Sequence, residues 1–120
     1  MLMISAIVRP EKVAEVMAAL MYAGFPSVTK MDVYGRGKQR GIKVGEVNYD
    51  ELPKELLFTV VKNDDRKFVV DTIMKAARTG HKGAFGDGKI FIQAVEESIT
   101  VSSGERESEP PLPAPVVDAA

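Results

Sequence analysis

The segment Gly35-Arg36-Gly37-Lys38-Gln39-Arg40-Gly41 alternates glycines with basic residues directly after a strand-like run. Glycine lets backbone N–H groups approach an anion, and Arg36, Lys38 and Arg40 would neutralise it, so phosphate or carboxylate is the ligand this composition suits. It is neither a dinucleotide fingerprint nor a Walker phosphate loop. Arg40 stands where a third glycine would be, no helix follows, and Gly-Lys-Ser/Thr does not occur. By composition alone, a solvated loop rich in glycine and lysine accounts for the segment at least as well. Gly86-Asp87-Gly88-Lys89 is a second anion candidate at the mouth of a strand, although Asp-Gly is also a common turn dipeptide. Each segment abuts a strand end, so the two could meet across a cleft between copies of the chain.

Catalytic sets are missing. The chain has no Cys and a single His, so thiol chemistry, disulfides and Cys/His metal sites are excluded. His81 reads as a solvated loop residue, and the adjacent pairs Asp64-Asp65 and Glu96-Glu97 suit capping and solvation better than acid/base work. No Ser/His/Asp set can be assembled. Nucleic acid is a poor partner, because the net charge is −1, the basic residues gather in one loop, and Tyr34 and Tyr49 are too few for a stacking platform.

The elements that must position these loops repeat a pattern. Met1 to Val8 is an apolar run that reads as a strand covered on both faces. Pro10 and Glu11 open a helix whose apolar positions are Val13, Val16, Met17, Leu20 and Met21, and Gly24 stops it. Ser27 to Tyr34 alternates as a strand. The second half has a strand over Leu56 to Val61, then Asn63, Asp64 and Asp65 as side-chain caps. A helix with Phe68, Val69, Thr72, Ile73, Ala76 and Ala77 inward follows and ends at Gly80, and a last strand covers Lys89 to Val95. Two βαβ halves with right-handed crossovers give an α+β, ferredoxin-like βαββαβ sandwich with both helices on one face of a four-stranded antiparallel sheet. The other face would be bare and apolar, which predicts self-association.

With 120 residues, 45% hydrophobic and 28% charged, the chain is sized for one domain. We place that domain at residues 1–104, with a projecting loop over 36–53 and a disordered Pro-rich tail over 105–120. The apolar start is too short to span a bilayer and lacks a signal peptide's basic flank, so no membrane insertion and a cytoplasmic location are expected.

Taken in order, Ile7-Val8-Arg9-Pro10-Glu11-Lys12, Gly35 to Gly41, Leu52-Pro53-Lys54, Thr79-Gly80 and Gly86-Asp87-Gly88-Lys89-Ile90-Phe91 resemble the PII nitrogen-regulatory signal proteins over residues 1 to about 104. Ala23-Gly24-Phe25-Pro26, Thr29 to Val33, Gly35 to Gln39 and Lys43-Val44-Gly45 resemble the nitrogenase-associated branch most.

The resemblance implies a homotrimer with ATP or ADP in clefts between subunits and 2-oxoglutarate bound with Mg-ATP. It implies a regulator of an enzyme rather than an enzyme, with dinitrogenase as target and a paralogous PII-like subunit as possible companion. Carried over by motif, Ile7, Thr29, Gly35 and Val60 would line the adenine and ribose, and Gly37, Lys38, Gly86, Asp87, Gly88 and Lys89 would hold phosphates. Gln39 would contact Mg and 2-oxoglutarate, Lys54 would pair with a ligand carboxylate, and Arg40 and Gly41 would donate N–H groups. Three departures stand out. Thr100 and Ser102 occupy the places of two phosphate-reaching arginines, the connection Gly80 to Gly86 is longer than usual, and the projecting loop is shorter than in uridylylated members, so Tyr49 is not assigned as a modified tyrosine. The same residues leave open a PII paralogue acting on an ammonium channel or a biosynthetic enzyme, or a structural partner that has lost nucleotide binding.

Overall fold

A computed structural model describes residues 1–36 and 51–111. Strand β1 (Leu2–Val8) has buried residues at every second position, namely Leu2, Ile4, Ala6 and Val8. Met3, Ser5 and Ile7 between them are only half-buried, so within one chain β1 is covered on one face rather than both. Pro10–Lys12 form a 3-10 turn with Pro10 at its start, and helix α1 (Val13–Tyr22) follows. Val13, Val16 and Leu20 point inward, whereas Met21 is exposed. Gly24, at φ +94°, ends the helix: the Gly24 N–H donates to the Met21 carbonyl and the Phe25 N–H to the Leu20 carbonyl.

Strand β2 (Thr29–Gly35) pairs with β3 (Leu52–Val61), and the sheet order is β2-β3-β1-β4 with every neighbouring pair antiparallel. This is the expected ferredoxin-like order. β3 begins four residues before the expected Leu56, because β2 offers it partners out to Gly35↔Leu52, well past the end of β1 at Val8↔Glu55. A proline is tolerated at position 53 because the sheet there is only two strands wide. The connection between β2 and β3 is correspondingly shorter than the 36–53 span, since Leu52 and Pro53 belong to the strand.

Asn63–Asp65 form a second 3-10 turn, and no side chain caps helix α2 (Arg66–Ala77). The capping expected of these residues is replaced at Asn63: its backbone N–H donates to the Glu109 carboxylate and its side-chain amide to the Pro110 carbonyl. Val69, Ile73 and Ala77 form the buried stripe, while Phe68 is exposed with its ring centroid 6.1 Å from that of Phe25. The helix stops at Ala77 rather than Gly80, because both donors of Thr79 are drawn to the carboxylate of Asp87. β4 (Gly88–Ala94) completes the sheet, starting and ending one residue before the expected span.

The core lies between the sheet's inner face and the helices, around Ile4, Val16, Leu20, Leu57 and Val69. Thr59, the buried polar residue there, donates its hydroxyl to the Ser27 carbonyl at 2.9 Å. On the outer face Met31, Val60 and Phe91 remain 47%, 41% and 50% exposed. Past the sheet, β5 (Ser98–Ile99) and β6 (Arg106–Glu107) form a small hairpin, closed by Arg106 against Glu97 at 2.7 Å. Residues 105–110, expected in a disordered tail, are therefore partly ordered by hairpin pairing and by the Glu109 and Pro110 contacts to Asn63. Residues 112–120 of that tail lie outside the described residues. Among the described residues no helix is long and apolar enough to cross a membrane.

Candidate functional site

The ends of β1, β2 and β3 and the loop before β4 converge on a cleft of about 670 Å³ at one end of the sheet's outer face. Strand alternation puts Ile7, Gly35, Lys54 and Lys89 there, since Ile7↔Lys89 are register partners on the outer face and Val33↔Lys54 and Gly35↔Leu52 share it. Gly86, Asp87 and Gly88 complete the wall. Seven of the expected site residues thus meet: Ile7, Gly35, Lys54, Gly86, Asp87, Gly88 and Lys89.

Thr29 and Val60 do not line this cleft. Thr29 is paired with Phe58 and Val60 with Met3, whereas Ile7 is opposite Leu56, so Val60 lies about 13 Å along the strand from the level of Ile7. Within one chain Thr29 and Val60 therefore stand apart from the group around Ile7 and Gly35. Gly37, Lys38, Gln39, Arg40 and Gly41 lie outside the described residues, as does Tyr49. Thr100 and Ser102 sit in the turn of the β5–β6 hairpin, where the Thr100 N–H donates to the Glu105 carbonyl and its carbonyl accepts from Gly104.

The carboxylate of Asp87 is engaged inside the chain rather than open to a ligand. Its Oδ1 accepts from Arg9 Nε at 3.1 Å and Thr79 Oγ1 at 2.7 Å, and its Oδ2 from the N–H groups of Thr79 at 3.1 Å and Ala84 at 2.7 Å. Burial alone would favour the neutral acid, but the bonds from Thr79, Ala84 and Arg9 outweigh it and hold the group well below the usual carboxylate range. Asp87 organises the loop, which leaves main-chain N–H groups and cations as the groups of the cleft able to meet an anion. Arg36, expected from the sequence to neutralise an anion, lines the cleft, whereas Arg9 and Thr79 are components to which motif spacing gave no role; the sequence separation of 78 positions between Arg9 and Asp87 hides their pairing.

Lys54 Nζ lies 2.6 Å from the Gly86 carbonyl oxygen. Burial, and then repulsion from Arg9, push its ammonium below the usual lysine value, with Glu11 and Asp87 opposing. At Gly88, φ is +120° and an added Cβ would lie 1.7 Å from the Ile7 carbonyl oxygen, so only glycine lets β4 approach β1 here. On the other side of the 84–88 loop a hollow of about 590 Å³ is floored by Ile73 and Ala77 and edged by Arg78 and Lys82. His81 is exposed beside it. The arrangement suits binding of an anion with an apolar portion against Ile7 and Phe91, and among the described residues it brings together no nucleophile and general base.

Comparison with known proteins shows the family. The profile of the family described as nitrogen regulatory protein P-II matches residues 1–105. The nitrogen fixation nifHD region GlnB-like protein 1 of Methanothermococcus thermolithotrophicus is 51% identical over 105 residues, covering 88% of this chain and 97% of that protein. The nitrogen regulatory protein P-II 2 of Methanothermobacter thermautotrophicus is 44% identical over 106 residues, covering 85% and 90%. Among solved structures, Arabidopsis thaliana PII bound to citrate superposes with a TM-score of 0.72 at 36% identity, covering 88% of this chain and 84% of that one. Fold, cleft and relatives converge: the chain belongs to the nitrogen regulatory protein P-II family, among its nitrogen-fixation members.

Proposed function

We propose that this protein binds ATP or ADP, senses 2-oxoglutarate together with Mg-ATP, and regulates nitrogenase through direct contact with dinitrogenase, as a homotrimer alone or with a paralogous PII-like subunit. The observation that carries this reading is the cleft itself, where Lys54, Lys89 and the Gly86 to Gly88 backbone converge beside Ile7 and Phe91. Cations and glycine N–H groups beside an apolar wall match a nucleotide's phosphates and base. The division of Ile7 and Gly35 from Thr29 and Val60 supports a site completed between copies, and exposed Met31, Val60 and Phe91 supply an apolar face for such packing. Among the described residues no three His, Cys, Asp or Glu could hold a metal ion together, so Mg would rest on nucleotide phosphates and Gln39. Lys54 fits a dicarboxylate's far end, and the citrate in the Arabidopsis relative is a carboxylate ligand of that protein. The relatives named for the nifHD region support nitrogenase as target.

Calorimetric titration with Mg-ATP, with and without 2-oxoglutarate, tests the sensor reading. Saturable ATP binding and 2-oxoglutarate binding only in its presence are expected. A structural role without nucleotide is favoured by Thr100 and Ser102 in the hairpin turn, and absence of ATP binding would establish it. Pull-down of dinitrogenase, set against an ammonium channel and a biosynthetic enzyme, tests the target.

A further inference from the structure

We propose that Arg9 is a positioning residue of the anion site, acting on the 84–88 loop rather than on the ligand; this rests on the reading that the loop receives phosphate. The guanidinium is forked. Nε donates to Asp87 Oδ1 at 3.1 Å while Nη2 donates to the Phe85 carbonyl at 2.5 Å. Lys54 takes the next carbonyl, that of Gly86, at 2.6 Å. Two cations, Arg9 just past β1 and Lys54 on β3, therefore turn successive carbonyls toward themselves. The chain has no cis peptide among its described residues, and in a trans peptide C=O and N–H point in opposite directions. The Gly86 N–H is thereby turned away from Arg9, while the Asp87 N–H is used by the Ala84 carbonyl at 3.2 Å and the Ala84 N–H by the Asp87 carboxylate. The clamp thus orients the Gly86 N–H while the donors of Ala84 and Asp87 are spent within the loop.

Charge gives the clamp a second effect. A bare carboxylate in the wall of an anion cleft would repel phosphate, and Arg9 cancels that of Asp87 across 3.1 Å. Neither role needs contact between Arg9 and the ligand.

The test uses the full chain, with Mg-ATP as titrant and amide hydrogen exchange at Ala84 and Asp87 measured without nucleotide. Arg9→Met is expected to weaken Mg-ATP binding by about tenfold or more, the order of one lost charge-assisted hydrogen bond, and to speed exchange at both amides while core amides such as Leu57 stay protected. Arg9→Lys should restore only part of the affinity, because an ammonium lacks the planar fork that spans Asp87 and Phe85. Thr79→Val, which changes no charge, should weaken binding in the same direction. Full recovery by Arg9→Lys, or unchanged affinity in Arg9→Met, would overturn the proposal. If the unmutated chain binds no Mg-ATP, the nucleotide reading falls on its own, and exchange decides the clamp: faster exchange in Arg9→Met supports it and unchanged exchange overturns it.

Discussion

The ammonium of Lys54 and the carbonyl oxygen of Gly86 are 2.6 Å apart, so β3 and the loop ahead of β4 are joined by one charge-assisted bond inside the cleft. An ammonium has three donors, which leaves Lys54 able to hold Gly86 and a carboxylate ligand together.

Lys54 must be charged to hold a carboxylate, and burial lowers its pKa from the usual lysine value. Affinity for 2-oxoglutarate in the presence of Mg-ATP should therefore fall at a less alkaline pH than an ordinary lysine would allow. Calorimetry from neutral to alkaline pH reads this directly. Lys54→Ala should abolish 2-oxoglutarate binding and leave the sedimentation behaviour unchanged.

Asp87 is depressed in the folded chain, so the stability it contributes is present above about pH 4 and is lost as pH falls through its folded value. Asp87→Asn should lower stability at neutral pH by roughly 1–3 kcal/mol, the scale of hydrogen bonds to a charged group. The gap between the two proteins should close in acid, and denaturant titrations at two pH values measure it.

Asp32 and Glu55 are register partners on the inner face of the β2–β3 ribbon. A hydrogen bond that the protonated Glu55 carboxyl donates to the Asp32 carboxylate, desolvation and then the Asp32 charge raise the Glu55 pKa, with Lys30 opposing. A raised carboxyl favours the fold below its unfolded pKa and loses that advantage as pH rises through the folded value. Glu55→Gln should consequently raise the denaturation midpoint at neutral pH and make little difference in acid.

Gly88→Ala puts a Cβ at 1.7 Å from the Ile7 carbonyl oxygen with φ at +120°, contacts that backbone must move to relieve. A loss of about 2–4 kcal/mol is expected, in the range of backbone strain plus a displaced strand end. Thermal denaturation checks it, and loss of Mg-ATP binding should accompany it.

Phe91 is half-exposed on the outer face, midway along the edge strand β4 and opposite Ser5. Under the trimer proposal, Phe91→Glu should yield monomers by analytical ultracentrifugation, because a buried unpaired carboxylate would be too costly at an interface.

Strand order, both helices and the cleft's glycine-rich wall were legible because period and turn chemistry act locally: Leu20 and Val16 mark one face of α1, and Gly24 its end. Leu52 to Glu55 were not read as strand because their pattern is polar and carries a proline; only pairing with β2 makes them extended. The partners of Asp87 stayed hidden for a related reason. Arg9, Thr79 and Ala84 converge on one carboxylate through tertiary folding, which no spacing rule encodes. The ordering of Arg106 to Pro110 likewise depends on Glu97, Ile99 and Asn63.

The pairs Val33↔Lys54, Tyr34↔Pro53 and Gly35↔Leu52 extend past the last residue of β1 as a stalk two strands wide. Such a ribbon twists more readily than a full sheet. Gly35 and Lys54 on its flank belong to the cleft. Because both residues stand on this one ribbon, a twist of the three residue pairs would move two walls of the cleft together, so the width of the cleft is tied to the torsion of the stalk.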